Sequence, residues 1–590
     1  MTPAGAARAG AHPGARLADL DDLAAGAHRH PVVLWELTAR VRLLSDTHIG
    51  SADDSARTAA DIAPIDRDPV DHVPRLRAST QAGLLRHHLA ARLGPDRADA
   101  VAELFGEAAR GTDPAGPGAA GPSALDIDDS YAELPPEAGI AVRAGNRVDP
   151  GSGAAAPGAF WRMETLPAGT LFTLTLRLQV ADPADEGRLL ALAALAADGL
   201  NGADLAPGVA IGARTARGYG AVRCDSWHLR RHDLRTPQGW ADWYALTWRQ
   251  RRDRAHRAVT APARPRAARA PGLLTLVPEH LQRDPALAAA IGGDYSAALA
   301  DLATDRRHRD ELTLTLRLAE RPTEAFLRTG AGTPPRAPGP RPGLLMVGDT
   351  PRLGSLGEVD RAHLSRPSVG GDGAVQWRPA LGDTALFALF KRLSRRLVRD
   401  ISGESATTLA EWPEDSPARR LHSRWWGGDT RSGAAPAPSG IRLRQAAELT
   451  GGTTQRTTRV TIDSLFGDAV DSTLLTDDVH AGGQATVTLD ALQPDDAVRG
   501  LLALIVRELH TVPLDAIGGG SGAGHGRVTV TSAVLTRHEP GSEPDRVDLL
   551  AAIDDARSPE RAAVSPWISA LRAAVSAGPS AGPDADGAAR

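Results

Sequence analysis

Apolar and polar residues alternate along Glu311-Leu312-Thr313-Leu314-Thr315-Leu316-Arg317-Leu318, and again along Phe172–Leu178 and Gln484–Leu489. Period two is the signature of a strand with one buried face. Val32–Leu43 runs into the same alternation and predicts a strand; Ala221–Leu229 predicts another and Leu125–Ile127 a short one. Elsewhere the period changes to that of a helix. Leu84, Leu85, Leu89 and Leu93 define a helix over Ser79–Leu93 behind a Ser/Thr cap, and Glu186–Asp198, Thr384–Arg399 and Ala497–Leu509 predict three more. Asp46–Pro74 reads as a long polar loop and Gly106–Pro122 as a Gly/Pro/Ala loop.

These elements recur in the same order. The strand at Leu37–Leu43 has its counterpart at Glu311–Leu318, the helix at Ser79–Leu93 at Thr384–Arg399, the strand at Phe172 at Gln484, and the helix at Glu186 at Ala497. The nearest match is a Gly-rich turn: Ile211–Val222 aligns without a gap to Ile517–Val528, sharing Ile, three Gly and Val. Ordered recurrence argues for a duplicated unit. Each unit reads as strand, helix, two strands, helix, strand, the ferredoxin-like or RRM-like plan, which packs its helices on one face of the sheet and leaves the other open for a ligand. The fold class is therefore α+β, two ferredoxin-like domains in tandem with large loop insertions.

The expected boundaries are a flexible arm over 1–30, a first domain over 31–230, an Arg-rich linker over 231–309, a second domain over 310–540, and a C-terminal extension with a disordered tail over 541–590. The linker reads either as solvated helix and coil or as an RNA-contacting arm. At roughly 150 residues per domain, 590 residues leave room for two to four domains.

Composition narrows the chemistry. A net charge of −5 excludes a basic protein that coats nucleic acid indiscriminately, and 4% aromatic residues exclude a long array of base-stacking platforms. One cysteine, Cys224, excludes a disulfide framework and a Cys-based zinc site. The best apolar run, Leu189–Leu195, is too short to span a bilayer, and Met1–Arg16 lacks the apolar core of a secretory signal, so a cytoplasmic protein without membrane contact is expected. Lys391 is the only lysine, so phosphate contacts would fall to arginine, backbone N–H or neutral polar groups.

The Gly-rich turn lies between helix and strand, so it is neither a dinucleotide fingerprint nor a P-loop. Closely spaced glycines let a backbone approach a bulky partner and expose N–H groups to phosphate, with Arg214 and Arg217 flanking the first copy. A tight structural turn with solvated arginines reads the same residues equally well. Trp425-Trp426 reads as a small core or interface rather than a stacking platform.

A Gly-rich turn closing such a unit resembles the RAMP superfamily (repeat-associated mysterious proteins) of CRISPR systems. Ser45-Asp46-Thr47-His48-Ile49-Gly50 is similar to the family's first-strand exit, and Asp61-Ile62-Ala63-Pro64-Ile65-Asp66-Arg67-Asp68-Pro69 to its Asp-containing loop. Val73–Arg86 resembles its helix start, with Ala82 where the family usually has Lys. Leu104-Phe105-Gly106 and the block from Arg143 to Leu166-Pro167-Ala168-Gly169-Thr170-Leu171-Phe172 also match. Arg459–Asp463 through Val479–Gly483 fits the same middle block more loosely in the second unit, which lacks the family's full Asp-loop pattern.

The resemblance implies a tandem backbone subunit of a type III CRISPR effector. Its partners would be crRNA, complementary target RNA, a polymerase-like large subunit, small subunits and further RAMP subunits. RNA would be held by its backbone and read by guide–target pairing. The implied RNA-binding residues are Arg67, Ser79, Arg86, Arg143, Arg147, Arg214, Arg217, Gly218 and Gly220 in the first unit, and Gly524, His525, Gly526 and Arg527 in the second. The segment from about 130 to 170 would form a thumb-like hairpin separating successive guide–target segments. In active members a loop aspartate supports metal-dependent cleavage of target RNA. Asp61 matches by position, as catalytic residue and as ligand to Mg²⁺ or another divalent cation, with Asp66 or Asp68 as alternatives because the loop is one residue longer; Asp360 is the candidate in the second unit. Two other readings remain: a non-catalytic crRNA-binding scaffold, and a metal-independent guide-processing endoribonuclease using His48.

Overall fold

The structure, a computed structural model, describes residues 31–51, 62–106, 122–146, 157–158, 160–201, 208–260, 272–320, 341–348, 359–404, 412–413, 416–428, 438–444, 447–511 and 515–577. The first unit contains β1 (Val33–Leu43), β2 (Ile62–Ala63), β3 (Arg75–Leu76), α1 (Ala78–Leu93), α2 (Ala98–Phe105), β4 (Leu125–Ile127), β5 (Ser130–Glu133), β6 (Ala141–Gly145), β7 (Trp161–Thr165), β8 (Leu171–Val180), α3 (Glu186–Asp198) and β9 (Val222–Asp233). Four helices follow: α4 (Pro237–Tyr244), α5 (Trp248–Thr260), α6 (Leu273–Arg283) and α7 (Pro285–Leu302). The second unit contains β10 (Arg309–Leu318), β11 (Leu344–Leu345), β12 (Arg361–Ala362), β13 (Ser365–Val369), β14 (Val375–Pro379), α8 (Asp383–Ser402), α9 (Pro417–Trp426), β15 (Ile441–Leu443), β16 (Thr453–Arg459), β17 (Leu475–Ala481), β18 (Gln484–Leu492), α10 (Asp496–Thr511), β19 (Val528–His538), β20 (Asp545–Asp548), α11 (Leu549–Asp554) and α12 (Pro559–Ala577).

Two mixed α/β halves with antiparallel main sheets result, and their pairing repeats. β1 lies between β8 and β9, with β4 and β5 beyond β8; β10 lies between β18 and β19, with β15 beyond β18. Both central strands carry a register shift against the last strand, at Arg40/Val41 and at Thr315/Leu316. Each half has its own apolar core, one around Leu37, Leu89 and Leu192, the other around Leu314, Phe390 and Leu502.

The stretch expected as an Arg-rich linker folds against the first unit instead. α3 is apolar all round, and a helix of that kind needs cover on both sides. The sheet gives one cover and α6 and α7 the other: a Cβ on Gly187 would stand 2.7 Å from the Tyr295 backbone N. The second unit does the same with α12, whose Trp567 carbonyl oxygen would lie 2.3 Å from a Cβ on Gly500.

The open sheet face expected in both units is open only in the second. In β10, Leu312, Leu314, Leu316 and Leu318 are buried while Glu311, Thr313 and Thr315 are half-buried and Arg317 is exposed. In β1 the polar face is buried too, because α5 lies across it. That helix buries only Ala255 and Val259 and is held by polar contacts: Arg254 to Glu36 (2.8 Å), His256 to Glu133 (3.1 Å), Ser226 Oγ donating to the Val259 carbonyl (2.8 Å), and Arg177 over the Trp248 ring (4.3 Å). Burial pushes the Glu36 carboxyl up, but His232 and Arg254 outweigh it and hold the group below its usual range.

Three histidines are held neutral by burial: His88 at about 3, His422 at about 3 and His363 at about 4, the last also facing His480. Their folded values lie below the unfolded value, so their contribution is whole above about pH 6.5 and is lost as pH falls toward those values. Each can remove up to about 1.4 kcal/mol per pH unit in that window. The melting temperature is expected to fall between pH 7.5 and 5, before most carboxylates titrate. His363→Ile, which installs the residue found at the matching Ile65, should shrink that fall.

Candidate nucleic-acid interface

The Gly turns lead into β9 and β19, and most of their backbone hydrogen bonds repeat. The Ile211 N–H donates to the Gly220 carbonyl at 2.8 Å, and the Ile517 N–H donates to the Gly526 carbonyl at 2.8 Å. The Ala213 N–H reaches the His48 carbonyl (2.9 Å), as the Gly519 N–H reaches that of Met346 (2.8 Å). Gly212 and Gly518, at φ +86° and +77°, would each place a Cβ within 2.2 Å of those same oxygens. The glycines are thus required by close backbone approach at left-handed φ.

The two turns differ in what meets them. The first packs against the second unit. The Leu443 N–H donates to the Ala216 carbonyl (2.9 Å), and Gly218 and Gly220 are buried. Arg214 stacks 3.5 Å over the Trp161 ring, with burial first and Arg217 second lowering its guanidinium to about 10. Arg217 is lowered as well, by burial. Both arginines therefore face protein. In the second turn Gly518, Gly519, Ser521, Gly522, Ala523 and Arg527 are exposed, Gly524 and His525 half-buried and Gly526 buried.

Beside the first turn lies a buried charge network. Arg143 Nε donates to Asp46 Oδ2 (2.8 Å), and Arg366 of the β13–β14 hairpin pairs with Asp46 and, at 3.3 Å, with Asp383. Burial raises the Asp46 carboxyl, but Arg366 and Arg143 hold it below its usual range. Arg143, expected on RNA, is a structural ion-pair partner. The same hairpin sends Trp377 Nε1 to the Glu137 carbonyl (3.1 Å).

The remaining first-unit residues are dispersed around this end. Ser79 is exposed in the first turn of α1, whose first N–H, on Ala78, is taken by the Asp129 carboxylate (2.7 Å). Arg77 and Arg75 stand beside it, both paired with Asp66, which is buried and lowered by them despite its desolvation. Arg67 pairs with Glu164 (2.7 Å), and Arg86 donates to the Gly106 carbonyl (2.9 Å), where it ties α1 to the end of α2. Asp68 is half-buried and caps its own turn through Val70 N (2.8 Å) and Asp71 N (3.1 Å). His48 is buried with Nδ1 on the Glu164 carbonyl (2.8 Å), a structural position. Asp61 and Arg147 lie outside the described residues.

Register sets Asp360 one chain position past that of Asp61. Gly50 faces Ile65 and Ala63 pairs with Met163; Gly348 faces His363 and Arg361 pairs with Asp477, with equal chain spans. Counting back, Val359 holds the chain position of Asp61 and Asp360 that of Ile62. The Asp360 carboxylate accepts from Thr476 N (2.6 Å), which pins β12 to β17. Among the described residues no three His, Cys, Asp or Glu side chains gather as a metal cage requires.

A projecting hairpin is present in both units. β6 and β7 pair antiparallel with β2 alongside, and β16 and β17 pair likewise with β12 alongside. The second ends in an apolar tip. Ile462 is 55% exposed, Leu465 and Phe466 81% each, and Leu474 64%. Asp463 fixes the tip by accepting from Leu465 N and Phe466 N, both at 2.8 Å. Trp425 and Trp426 belong to the second core, as their pairing suggested.

Residues 40–223 match the model of the RAMP superfamily. The RAMP match runs from within β1 to the start of β9, so it takes in the Asp loop, the first hairpin and the first Gly turn, and it ends before the second sheet begins. No curated protein matches the chain. Among the described residues no helix is long and apolar enough to cross a membrane.

Proposed function

We propose that the chain is a CRISPR-associated RNA-binding protein, specifically a type III effector backbone subunit with two ferredoxin-like RAMP units in tandem. The observation that carries the reading is the repetition, around a RAMP-matching first unit, of the same Gly turn, the same antiparallel hairpin with a parallel strand alongside and the same order of the three central strands. The guide RNA would run along the strand ends, past Ser79 at the start of α1 and over the exposed turn around Gly524, His525 and Arg527. The hairpin tips would separate guide–target segments, with Leu465 and Phe466 as an apolar wedge. Further RAMP, small and polymerase-like subunits would complete the assembly.

Cleavage of paired target RNA is assigned to the first unit alone, through Asp61 and a divalent cation. The second unit is read as a non-catalytic scaffold, because Val359 stands where that carboxylate would be and Asp360 is engaged with Thr476. The assembled complex with Mg²⁺ and complementary RNA tests this. Asp61→Ala should remove one cut, and Asp360→Ala should leave every product in place. Unchanged cutting by the Asp61 variant would overturn the catalytic assignment, and absence of repeat-derived RNA in the purified complex would overturn the RNA-binding one. Leu465→Ser with Phe466→Ser should weaken binding of target-paired guide by about tenfold, the worth of one to two stacked bases at about 1–3 kcal/mol each. A filter-binding titration reads it.

A further inference from the structure

At the opposite end of the sheets, α1 of the first unit meets the edge of the second across a groove of 640 Å³. Arg309, at the first position of β10, lines it, whereas the Gly turn meets the chain just past the last residue of that strand, roughly 30 Å away. The groove is amphipathic. One wall is apolar, formed by Ala90, Ala91, Pro95, Ile441 and Val498, and the other carries Arg306, Arg307, Arg309, Arg424 and Arg442 with a single lining carboxylate, Asp495.

Nearby acids already have partners. Asp495 pairs with Arg424 (3.3 Å), Asp305 with Arg307 (2.5 Å), Asp96 with Arg306 (3.3 Å), and Asp490 with Arg444 (2.5 Å). Arg442 is the exception. It is half-buried, and its guanidinium makes no ion pair or hydrogen bond among the described residues. Trp425 also lines the groove; it is 3% exposed, and its Nε1–H has no hydrogen-bond partner among the described residues. The carboxylate that acts on Arg442 is Asp490, opposite it across the strand pair, and Asp490 is already paired with Arg444, so the half-buried guanidinium is under-compensated. An anionic ligand would supply the missing charge.

We infer that this junction groove binds a nucleoside phosphate, with the phosphate on Arg442 and the base and sugar against the apolar wall. Guanidinium matches phosphate geometry through paired N–H groups, and the volume lies within the range of small-ligand pockets. The site is independent of the RNA-binding end.

The test is calorimetric titration of the full chain with AMP, adenosine and inorganic phosphate, beside thermal melting of the ligand-free protein. AMP should bind at least tenfold more tightly than either adenosine or phosphate, and Arg442→Met should weaken AMP at least tenfold. The same substitution should leave the ligand-free melting temperature unchanged or raise it, since it removes a charge that shares its carboxylate with Arg444. Arg442→Lys should retain part of the affinity. Absence of AMP binding, equal binding of adenosine or phosphate, unchanged affinity in Arg442→Met, or a lowered melting temperature in that variant would each overturn the proposal.

Discussion

Replacing Arg366 with methionine is expected to destabilise the junction of the two units by about 3–5 kcal/mol, the usual cost of removing one partner from a buried ion pair. Arg366 reaches from β13 to Asp46 in the first unit and to Asp383 at the start of α8, and both carboxylates are almost wholly buried. Methionine fills similar volume, so the loss is electrostatic: Arg143 still answers Asp46, while Asp383 is left without its guanidinium. Denaturant unfolding followed by tryptophan fluorescence should show an earlier transition. Asp46→Asn added to Arg366→Met should cost less than the sum of the two single changes, because the pair acts as a unit. Strict additivity would mean the network is not the coupling shown by its geometry.

Gly526→Ala is expected to have an effect of comparable size, confined to the second Gly turn. A Cβ there would stand 1.9 Å from the Ile517 carbonyl oxygen, and the residue sits at φ +77°. The backbone conformation alone costs about 1–3 kcal/mol, and the collision adds to it because neither backbone can retreat without breaking the Ile517–Gly526 bond. Gly522→Ala is the control, since an added Cβ meets nothing within 4 Å. Hydrogen exchange across 517–527 should accelerate strongly in the first variant and stay unchanged in the second. If RNA follows this turn, guide binding should be lost with Gly526→Ala and kept with Gly522→Ala.

The regular elements were legible because their patterns are local. Glu186–Asp198 was read to the residue, and the strand starting at Gln484 and the helix at Ala497 fell within a few residues of their observed ends. The duplicated Gly turn was legible because its glycines answer a backbone demand that no other residue meets. The docking of α5 was not legible, because that helix has almost no apolar face and lies down through contacts of Arg254 with Glu36, His256 with Glu133 and Trp248 with Arg177, which are long-range. A clue was available in α3, whose unbroken run of Leu and Ala could not be satisfied by a sheet on one side. Arg143, Arg214 and Arg217 carried the residue type expected of phosphate ligands, but partner choice depends on what the fold brings beside them: Asp46, Trp161 and the second unit. The offset between Asp61 and Asp360 was invisible until β12 and β17 fixed the register.

The Arg366 junction has a consequence for assembly. A contact made of buried ions is a poor one for free partners, each of which would shed tightly held water before meeting. Here α7 passes to β10 through the short stretch 303–308, itself anchored by the Arg306 N–H on the Arg92 carbonyl (2.8 Å). The two surfaces therefore meet at the high effective concentration of a short tether, in the millimolar range or above. Dilution cannot part them, their ratio is fixed at one to one, and their order is written into the chain. Two separate polypeptides would have to earn that arrangement by mass action.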